Sequence, residues 1–352
     1  MSLDSSEPVC VLGLGRSGTS LTMRLLNLMG VELGPEADLV PPTEVENPRG
    51  YWEPRWMLEL NDEILSKLGT DWWHPLTAPP GWERLPELDP LRERARALLE
   101  EKFGDEPVWG WKESRTTLTL PFWRELLPDV RYVICLRNPM DAISSFQRRP
   151  EPTQSTGAWG DLWLEYTARA LVETRGHPSL LVFYEDYFRD GPGQIARLAS
   201  FLGLSQPETG DPSSRLFQEI EQSLRHHSTS PRELAVAWGI APAARMLFLA
   251  LRAAEDLRRQ SPPTRAGGDG AISEAIERLA PELLSERQLL NTYSDAAAER
   301  LDLVNQLERV ASERLDLVQE LDRVARSRLG ELEAAAERID VLEAELSPLR
   351  SS

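Results

Sequence analysis

Cysteine and histidine are scarce in this 352-residue chain, which contains two cysteines and four histidines. Cys10 and Cys135 lie inside short apolar runs that are typical of buried strands, so we expect free thiols in the core. The histidines stand at scattered or merely adjacent positions, without the paired spacing that zinc sites use. The sequence therefore predicts neither a disulfide nor a metal site.

Long apolar runs are absent as well. No run approaches the roughly 20 residues that are needed to cross a bilayer. Residues 1–8 are polar and lack the basic-then-apolar pattern of a secretory signal. Together these absences predict a cytoplasmic protein without a transmembrane segment.

Lysine is scarce as well, with Lys67, Lys102 and Lys112 alone, and the acidic residues outnumber the basic ones by 57 to 39, which gives a formal net charge of −18. A nucleic-acid-binding protein needs a basic surface, so this composition argues against a nucleic-acid partner. It does not argue against an anionic substrate, because a binding site responds to the charges immediately around it.

Short apolar runs alternate with amphipathic segments through much of the chain. The runs predict strands at 9–12, 107–111, 130–136 and 180–184. The periodic segments predict helices at 19–29, 54–68, 88–103, 116–127, from Pro139 onwards, at 158–174, at 192–202 and over 213–260. This alternation is typical of an α/β fold, in which helices cover both faces of a parallel sheet.

The composition changes after residue 260. Residues 261–271 predict a linker between a domain at 1–260 and a helical segment at 272–352. The stretch 299–312 is nearly repeated at 313–326, a period of 14 residues or two heptads. Such a repeat is typical of a long helical coiled coil. Two arrangements remain open: a coiled coil that joins copies into a homo-oligomer, and a helix that folds back on the first domain.

A glycine-rich turn follows the first predicted strand. The segment Gly13-Leu-Gly-Arg-Ser-Gly-Thr-Ser20 opens a predicted helix. Backbone N–H groups at a helix start bind anions, and glycines let the chain approach the anion closely. The turn therefore predicts a phosphate-type ligand.

Two kinds of nucleotide-binding enzyme, dinucleotide-binding enzymes and P-loop kinases, use a similar turn. A dinucleotide-binding fold needs G-x-G-x-x-G, which Gly13, Gly15 and Gly18 supply, but it also needs an acidic residue after a second strand, and only a very short strand fits around Glu32. A P-loop kinase needs a lysine where this chain has Thr19. Both remain alternatives at this stage.

Two motifs resemble those of the sulfotransferase family that uses 3′-phosphoadenosine 5′-phosphosulfate (PAPS). Arg16-Ser-Gly-Thr-Ser20 resembles the loop that holds the donor's 5′-phosphosulfate. Arg137-Asn-Pro-Met-Asp-Ala-Ile-Ser-Ser145 follows a predicted strand and resembles the segment that binds the 3′-phosphate with an arginine and a serine eight positions later. Residues 47–53 and 111–115 resemble segments of bacterial members of the family, and 184–186 and 201–204 resemble its late strand and helix.

The resemblance implies a P-loop NTPase-like sulfotransferase fold and transfer of a sulfuryl group from PAPS, without a metal, to a hydroxyl or amine. The residues it implies for donor binding are Arg16, Ser17, Gly18, Thr19, Ser20, Arg137 and Ser145. By analogy with phosphoryl transfer, we expect Arg16 to stabilise charge on the sulfuryl group and the bridging oxygen. For the general base, Glu53 is favoured because other branches use a glutamate in the corresponding loop, and Glu113 is the second candidate.

Six aromatic residues stand in and around two irregular loops: Tyr51, Trp52, Trp56, Trp72, Trp73 and Trp82. Aromatic faces stack on sugar rings or lipid, which suits a glycan or glycolipid acceptor. The same residues suit the plainer role of covering the core. A catalytically silent scaffold that assembles through its coiled coil is the remaining alternative to an enzyme.

Overall fold

The computed structural model describes residues 6–43, 47–74, 79–148, 155–205, 215–220 and 229–260. Within these ranges four strands form one sheet: β1 (Glu7–Leu12), β2 (Val108–Lys112), β3 (Arg131–Leu136) and β4 (Ser179–Phe183). Their order is β2-β1-β3-β4, and every neighbouring pair is parallel. The predicted parallel sheet is therefore confirmed.

Helices connect and flank these strands. In the described ranges they are α1 (Thr19–Leu28), α2 (Arg55–Lys67), α3 (Asp89–Phe103), α4 (Thr116–Leu126), α5 (Pro139–Gln147), α6 (Thr156–Glu173), α7 (Tyr184–Arg189), α8 (Gly191–Leu202), α9 (Arg215–Glu219), α10 (Pro231–Ala235) and α11 (Pro242–Gln260). Three short 3₁₀ turns lie at Glu36–Asp38, Trp82–Arg84 and Pro86–Leu88.

The side chains of β1 pack into two cores, one on each face of the sheet. Cys10 and Leu12 belong to one core, and Val9 and Val11 belong to the other. Successive side chains of a strand point to opposite faces, so a strand that is covered on both faces needs an unbroken apolar run. Helices α1 and α8 cover the second face, whereas α2, α3, α4 and α6 cover the first.

Both cysteines are free and buried, as the sequence predicts. Burial raises the pKa of the Cys135 thiol to about 12. A thiol is nucleophilic only when it is deprotonated, so this side chain acts as a small apolar group in the core.

The prediction of one continuous helix over 213–260 is wrong. In the described parts of this span the chain forms the three separate helices α9, α10 and α11. Pro231 and Pro242 begin α10 and α11, because proline lacks the N–H that would bond to a preceding turn. Between these two helices Gly239 has a φ of 88°, a left-handed conformation that interrupts a helix.

The predicted linker at 261–271 and the predicted coiled coil at 272–352 lie outside the described residues. The division into a domain at 1–260 and a helical segment therefore stays a prediction. In the part of the chain that the structure describes, no helix combines the length and the apolar character that crossing a membrane requires.

Candidate active site

The predicted site residues come together because the sheet is parallel. The carboxyl ends of all four strands lie along one edge, where ligands of open α/β sheets bind. There β1 leads into the glycine-rich turn, β2 ends at Lys112, β3 leads to Arg137, and β4 leads to Tyr184.

The glycine-rich turn packs tightly against its neighbours. Gly13 has a φ of 134°, and a Cβ placed on it would lie 2.6 Å from the carbonyl oxygen of Cys135. Gly18 has a φ of 91°, and a Cβ there would lie 2.5 Å from the Tyr184 ring. Both positions therefore require glycine, for conformation and for space. Arg16 is also left-handed, with a φ of 69°, which costs a residue with a side chain about 1–2 kcal/mol.

The glycine-rich turn leads directly into the N-terminus of α1, a location that favours anion binding. Gly18 is the N-cap residue of α1, and no side chain caps the first turn. The backbone N–H groups of a helix start favour an anion, helped by the helix dipole. The hydroxyl-bearing Ser17 and Thr19 are buried beside this turn. Ser20 is half-buried, and its hydroxyl oxygen accepts a hydrogen bond from the Asn47 side-chain amide over 3.2 Å.

Arg137 contacts the same turn directly. Its guanidinium Nη1 donates a hydrogen bond to the main-chain carbonyl oxygen of Arg16 over 3.1 Å. Arg137 is only 6% exposed. Among the described residues no carboxylate forms an ion pair with it, and its buried Nε donates to no acceptor. Burial lowers the pKa of Arg137. A buried guanidinium with spare donors fits a phosphate, which accepts bidentate hydrogen bonds.

Tyr184 links the turn to Arg137. Its ring lies 4.5 Å from the Arg137 guanidinium carbon, a cation–π distance, and it also covers Gly18. The sequence suggested that the last strand extends to residue 184, but β4 ends at Phe183 and Tyr184 begins α7. This side chain was therefore not foreseen as part of the site.

The main chain around Arg137 is held by two neighbouring elements. The indole N–H of Trp163 donates to the Arg137 carbonyl oxygen over 3.0 Å. The Asn138 N–H donates to the Glu185 carboxylate over 2.8 Å, and burial raises the pKa of Glu185. These contacts fix the end of β3 as it turns into α5.

Helix α5 carries Ser145, which is half-buried. The Asn138 side-chain oxygen caps this helix by accepting from the Met140 N–H over 3.0 Å. Asp141 lies in the first turn, where a negative charge is favourable, and accepts a hydrogen bond from the Thr229 N–H over 3.1 Å. Thr229 was missed because no sequence pattern ties it to α5.

Glu53 lies in the loop before α2, beside Lys112 at the end of β2. The Lys112 ammonium forms an ion pair with the Glu53 carboxylate and also donates to the Tyr51 carbonyl oxygen over 3.0 Å. Glu53 and Lys112 are both buried. A buried pair of this kind places one positive and one negative group near the glycine-rich turn.

Glu113 is held on both of its oxygens. Oε1 accepts from the Arg115 guanidinium over 2.8 Å, and Oε2 accepts from the Asn61 side-chain amide over 2.7 Å. Burial raises the pKa of Glu113, Arg115 opposes this, and the nearby Glu53 charge adds to it. Asn61 was missed, although it stands four residues after Met57 on the buried face of α2. A polar residue on an apolar helical face was the available signal.

The end of β2 and helix α5 both reach the glycine-rich turn. A Cβ placed on Gly15 would lie 3.5 Å from the Phe146 ring and 3.6 Å from the Ser114 hydroxyl. The glycine-rich turn, the segment that follows β2 and helix α5 therefore meet in one region.

The six aromatic residues do not form one cluster. Trp82 is buried in the core, and Trp56 packs edge-on against the buried Trp123 with ring centroids 6.3 Å apart. Trp52 packs against the core on the opposite face, beneath the Arg24 guanidinium. Most of the set covers the core, as the plainer interpretation predicts.

The chain was compared with known proteins. A family model described as "Sulfotransferase family" matches residues 8–208. No curated protein matches the chain.

Several solved structures are similar to it. A sulfotransferase (STF1) from Mycobacterium tuberculosis H37Rv is 16% identical with a TM-score of 0.37, and the match covers 70% of this chain and 78% of that one. A sulfotransferase from Alicyclobacillus acidocaldarius is 17% identical with a TM-score of 0.36, covering 78% and 96%. A retinol dehydratase in complex with androsterone and the inactive cofactor PAP is 18% identical with a TM-score of 0.34, covering 81% of each chain.

Proposed function

The chain belongs to the sulfotransferase family, whose model matches more than half of its residues, and we propose that it moves the sulfuryl group of PAPS to a hydroxyl or amine of its acceptor. As a member of this family the chain is a PAPS-dependent enzyme, and PAPS is its co-substrate. The family match disfavours the kinase and dinucleotide alternatives, which need a lysine at position 19 or an acidic residue after a second long strand.

In the proposal the glycine-rich turn holds the 5′-phosphosulfate. Backbone N–H groups at the start of α1 bind the anion, although the Ser17 N–H already donates to the Leu14 carbonyl oxygen over 3.2 Å, and Gly18 allows the anion's close approach. Ser17, Thr19 and Ser20 add hydroxyl donors. The absence of a capping side chain on the first turn of α1 supports this role.

Arg137 is proposed to hold the 3′-phosphate at the other end of the donor. The planar guanidinium forms paired hydrogen bonds to phosphate oxygens, and Ser145 adds a hydroxyl from α5. The observation that carries the proposal is the hydrogen bond from Arg137 to the Arg16 carbonyl oxygen, 3.1 Å long. It supports the proposal because it holds the two proposed donor-binding segments next to each other.

The Arg16 guanidinium is proposed to stabilise the charge that develops on the bridging oxygen as the S–O bond breaks. Catalysis of this kind rests on positioning and charge rather than on covalent chemistry. The electron pair of the broken bond leaves on adenosine 3′,5′-bisphosphate, and the acceptor oxygen or nitrogen forms the new bond to sulfur.

Glu53 is proposed as the general base that takes the acceptor proton as the new bond forms. A base must be able to reach that proton. Glu53 is itself ion-paired, but through Oε1 to Lys112. Glu113 is the weaker candidate, because both of its oxygens are engaged, by Arg115 and Asn61, in a fully buried position. In the proposal Glu113 fixes the end of β2 instead.

The acceptor is proposed to be a glycan or glycolipid, and the heptad repeat at 299–326 supports a homo-oligomer joined through residues 272–352. A cytoplasmic location remains a prediction from the sequence.

Calorimetry on the full chain tests the donor assignment. Adenosine 3′,5′-bisphosphate, ATP with magnesium, and NAD are titrated separately into the protein. We expect tight binding of the bisphosphate alone, with no change on addition of a chelator. Preference for ATP with magnesium or for NAD would support one of the rival enzymes. No binding of any nucleotide, together with an oligomer that dissociates when residues after Gly270 are removed, would support a scaffold.

A further inference from the structure

The backbone is left-handed at Trp52, the residue directly before Glu53. Trp52 has a φ of 57°, and among the described residues that carry a side chain only Arg16 shares a positive φ. Bulky residues rarely adopt this conformation, because their Cβ atom crowds the backbone. Such residues persist where the surrounding structure holds them, and they cluster at active sites. The contacts of Trp52 therefore bear on how Glu53 is placed.

The main chain is held on both sides of Trp52. The Tyr51 carbonyl oxygen accepts a hydrogen bond from the Lys112 ammonium over 3.0 Å. The Glu53 carbonyl oxygen accepts from the Val40 N–H over 2.8 Å. The Glu53 carboxylate forms its ion pair with the same Lys112 ammonium. The left-handed residue lies between two anchored carbonyl groups, so its conformation sets the direction in which the chain enters Glu53.

The side chain of Trp52 is held by α1. The Arg24 guanidinium carbon lies 4.4 Å from the centre of the Trp52 ring, a cation–π distance. Arg24 is fixed in turn, because its Nε donates to the Glu219 carboxylate over 3.3 Å and its Nη1 donates to the Asn27 side-chain oxygen over 3.0 Å. The Arg24 side chain is 23% exposed, and partial removal from water strengthens a cation–π contact.

Helix α1 holds the same loop at a second point, beside the glycine-rich turn. The Asn47 side-chain amide donates to the Ser20 hydroxyl oxygen over 3.2 Å. Ser20 and Arg24 stand four residues apart and therefore lie on one face of α1. This face contacts the loop 47–53 near both of its ends, while the N-terminus of the same helix is the proposed donor site.

On the basis of the proposed sulfuryl transfer with Glu53 as its base, we propose that Arg24 and Trp52 are positioning residues. Arg24 holds the Trp52 indole against α1, and this contact maintains the left-handed backbone that places Glu53 relative to the donor at the start of that helix. Neither side chain contacts the reacting atoms in this proposal. A base that is displaced from the proton it takes loses a large factor in rate.

The test measures two quantities on the full chain: the initial rate of label transfer from radiolabelled PAPS to one fixed preparation of cell extract, and the affinity for adenosine 3′,5′-bisphosphate by calorimetry. We expect Trp52→Ala and Arg24→Gln to lower the rate about tenfold to a hundredfold and to leave the bisphosphate affinity unchanged. Trp52→Tyr and Arg24→Lys retain a cation over an aromatic ring and should keep most of the rate. Trp238→Ala is the matched control, because it removes an indole that is 98% exposed, and it should change neither quantity.

Trp52→Gly separates the ring from the backbone. Glycine adopts the left-handed conformation readily but supplies no ring for Arg24. This variant should therefore fold and still be as slow as Trp52→Ala. A Trp52→Gly protein with the rate of wild type would overturn the proposal, since the contact with Arg24 would then be unnecessary.

A double-mutant cycle shows whether the effect acts through Glu53. In a Glu53→Gln background Trp52→Ala should cause no further loss of rate, because changes that remove one shared function are not additive. A residue that merely supports the fold would slow both backgrounds by the same factor, and that result would also overturn the proposal.

The same measurements separate this inference from the proposed function. If wild type binds no bisphosphate and transfers no label, the sulfuryl transfer falls and the positioning role falls with it. If wild type is active and Glu53→Gln is equally fast, the base assignment and the positioning role are wrong, whereas the donor assignment stands. If Glu53→Gln is slow and Trp52→Ala is as fast as wild type, only the positioning role is wrong.

Discussion

Arg137 reaches across the sheet edge and donates a hydrogen bond to the main-chain carbonyl oxygen of Arg16, 3.1 Å away. The contact is made to the backbone of Arg16 and does not involve the Arg16 guanidinium. Tyr184 forms a second connection, because its ring covers both Gly18 and the Arg137 guanidinium. The spacing between the two segments that are proposed to bind the donor is therefore set by contacts within the folded protein.

Removing the Arg16 guanidinium should slow transfer more than it weakens donor binding. Asn is the suitable replacement because it tolerates the left-handed backbone at this position. We expect Arg16→Asn to lower the transfer rate by about 10²–10³. The bisphosphate affinity should fall by less, since Arg137 still contacts the carbonyl oxygen. The rate is measured as label transfer from radiolabelled PAPS to acceptors in a cell extract, with Arg84→Asn, an exposed surface change, as control.

Gly18 should not tolerate a side chain. Gly18→Ala places a methyl group 2.5 Å from the Tyr184 ring at a left-handed φ. The control is Gly30→Ala, which has a similar φ of 98° but no atom within 4 Å. Both changes should cost about 1 kcal/mol of conformational strain, measured by denaturant unfolding. Gly18→Ala alone should also abolish tight bisphosphate binding, and adding Tyr184→Ala should restore part of it. If Gly18→Ala and Gly30→Ala lowered the bisphosphate affinity equally, the close approach of Tyr184 to Gly18 would not explain the loss.

The two candidate bases should respond differently to loss of their charge. Glu53→Gln should lower the transfer rate by about 10²–10⁴, the usual contribution of a general base. Glu113→Gln should lower it far less while reducing stability, because its role is to hold Arg115 and Asn61. Steady-state rates and unfolding midpoints for both variants decide the matter. A larger rate loss for Glu113→Gln would reverse the assignment.

The buried Glu113 should also affect the pH dependence of stability. Burial raises its pKa above the ordinary value of 4.5, so the folded state keeps this proton at a pH where the unfolded chain has lost it. The free energy of unfolding must then fall as the pH rises from below 4.5 through the raised pKa. Wild type should lose stability relative to Glu113→Gln over that window. If the free energies of unfolding of the two proteins changed in parallel with pH, this expectation would be contradicted.

The sequence reveals the parts of the site that are continuous along the chain. The turn before α1 and the segment after β3 each carry their proposed ligand-binding groups within a few residues. The alternation of strands and helices predicts a parallel sheet, and this places both segments at the same edge. Asn61, Tyr184 and Thr229 could not be found in this way. Each acts on a segment more than 40 residues away, and such pairings depend on packing between elements that local periodicity does not specify. The prediction of one helix over 213–260 was wrong for a different reason. The apolar pattern of this span favours a helix throughout, whereas Pro231 and Pro242 each start a new helix.

The most direct test of the account is whether Arg137 recognises the donor's 3′-phosphate. Adenosine 3′,5′-bisphosphate and adenosine 5′-phosphate are titrated by calorimetry into wild type and Arg137→Ala. Wild type should prefer the bisphosphate by about tenfold to a hundredfold, the worth of charged hydrogen bonds. In Arg137→Ala that preference should disappear, with adenosine 5′-phosphate bound as in wild type. A variant that binds both nucleotides more weakly but keeps its preference for the bisphosphate would contradict the account.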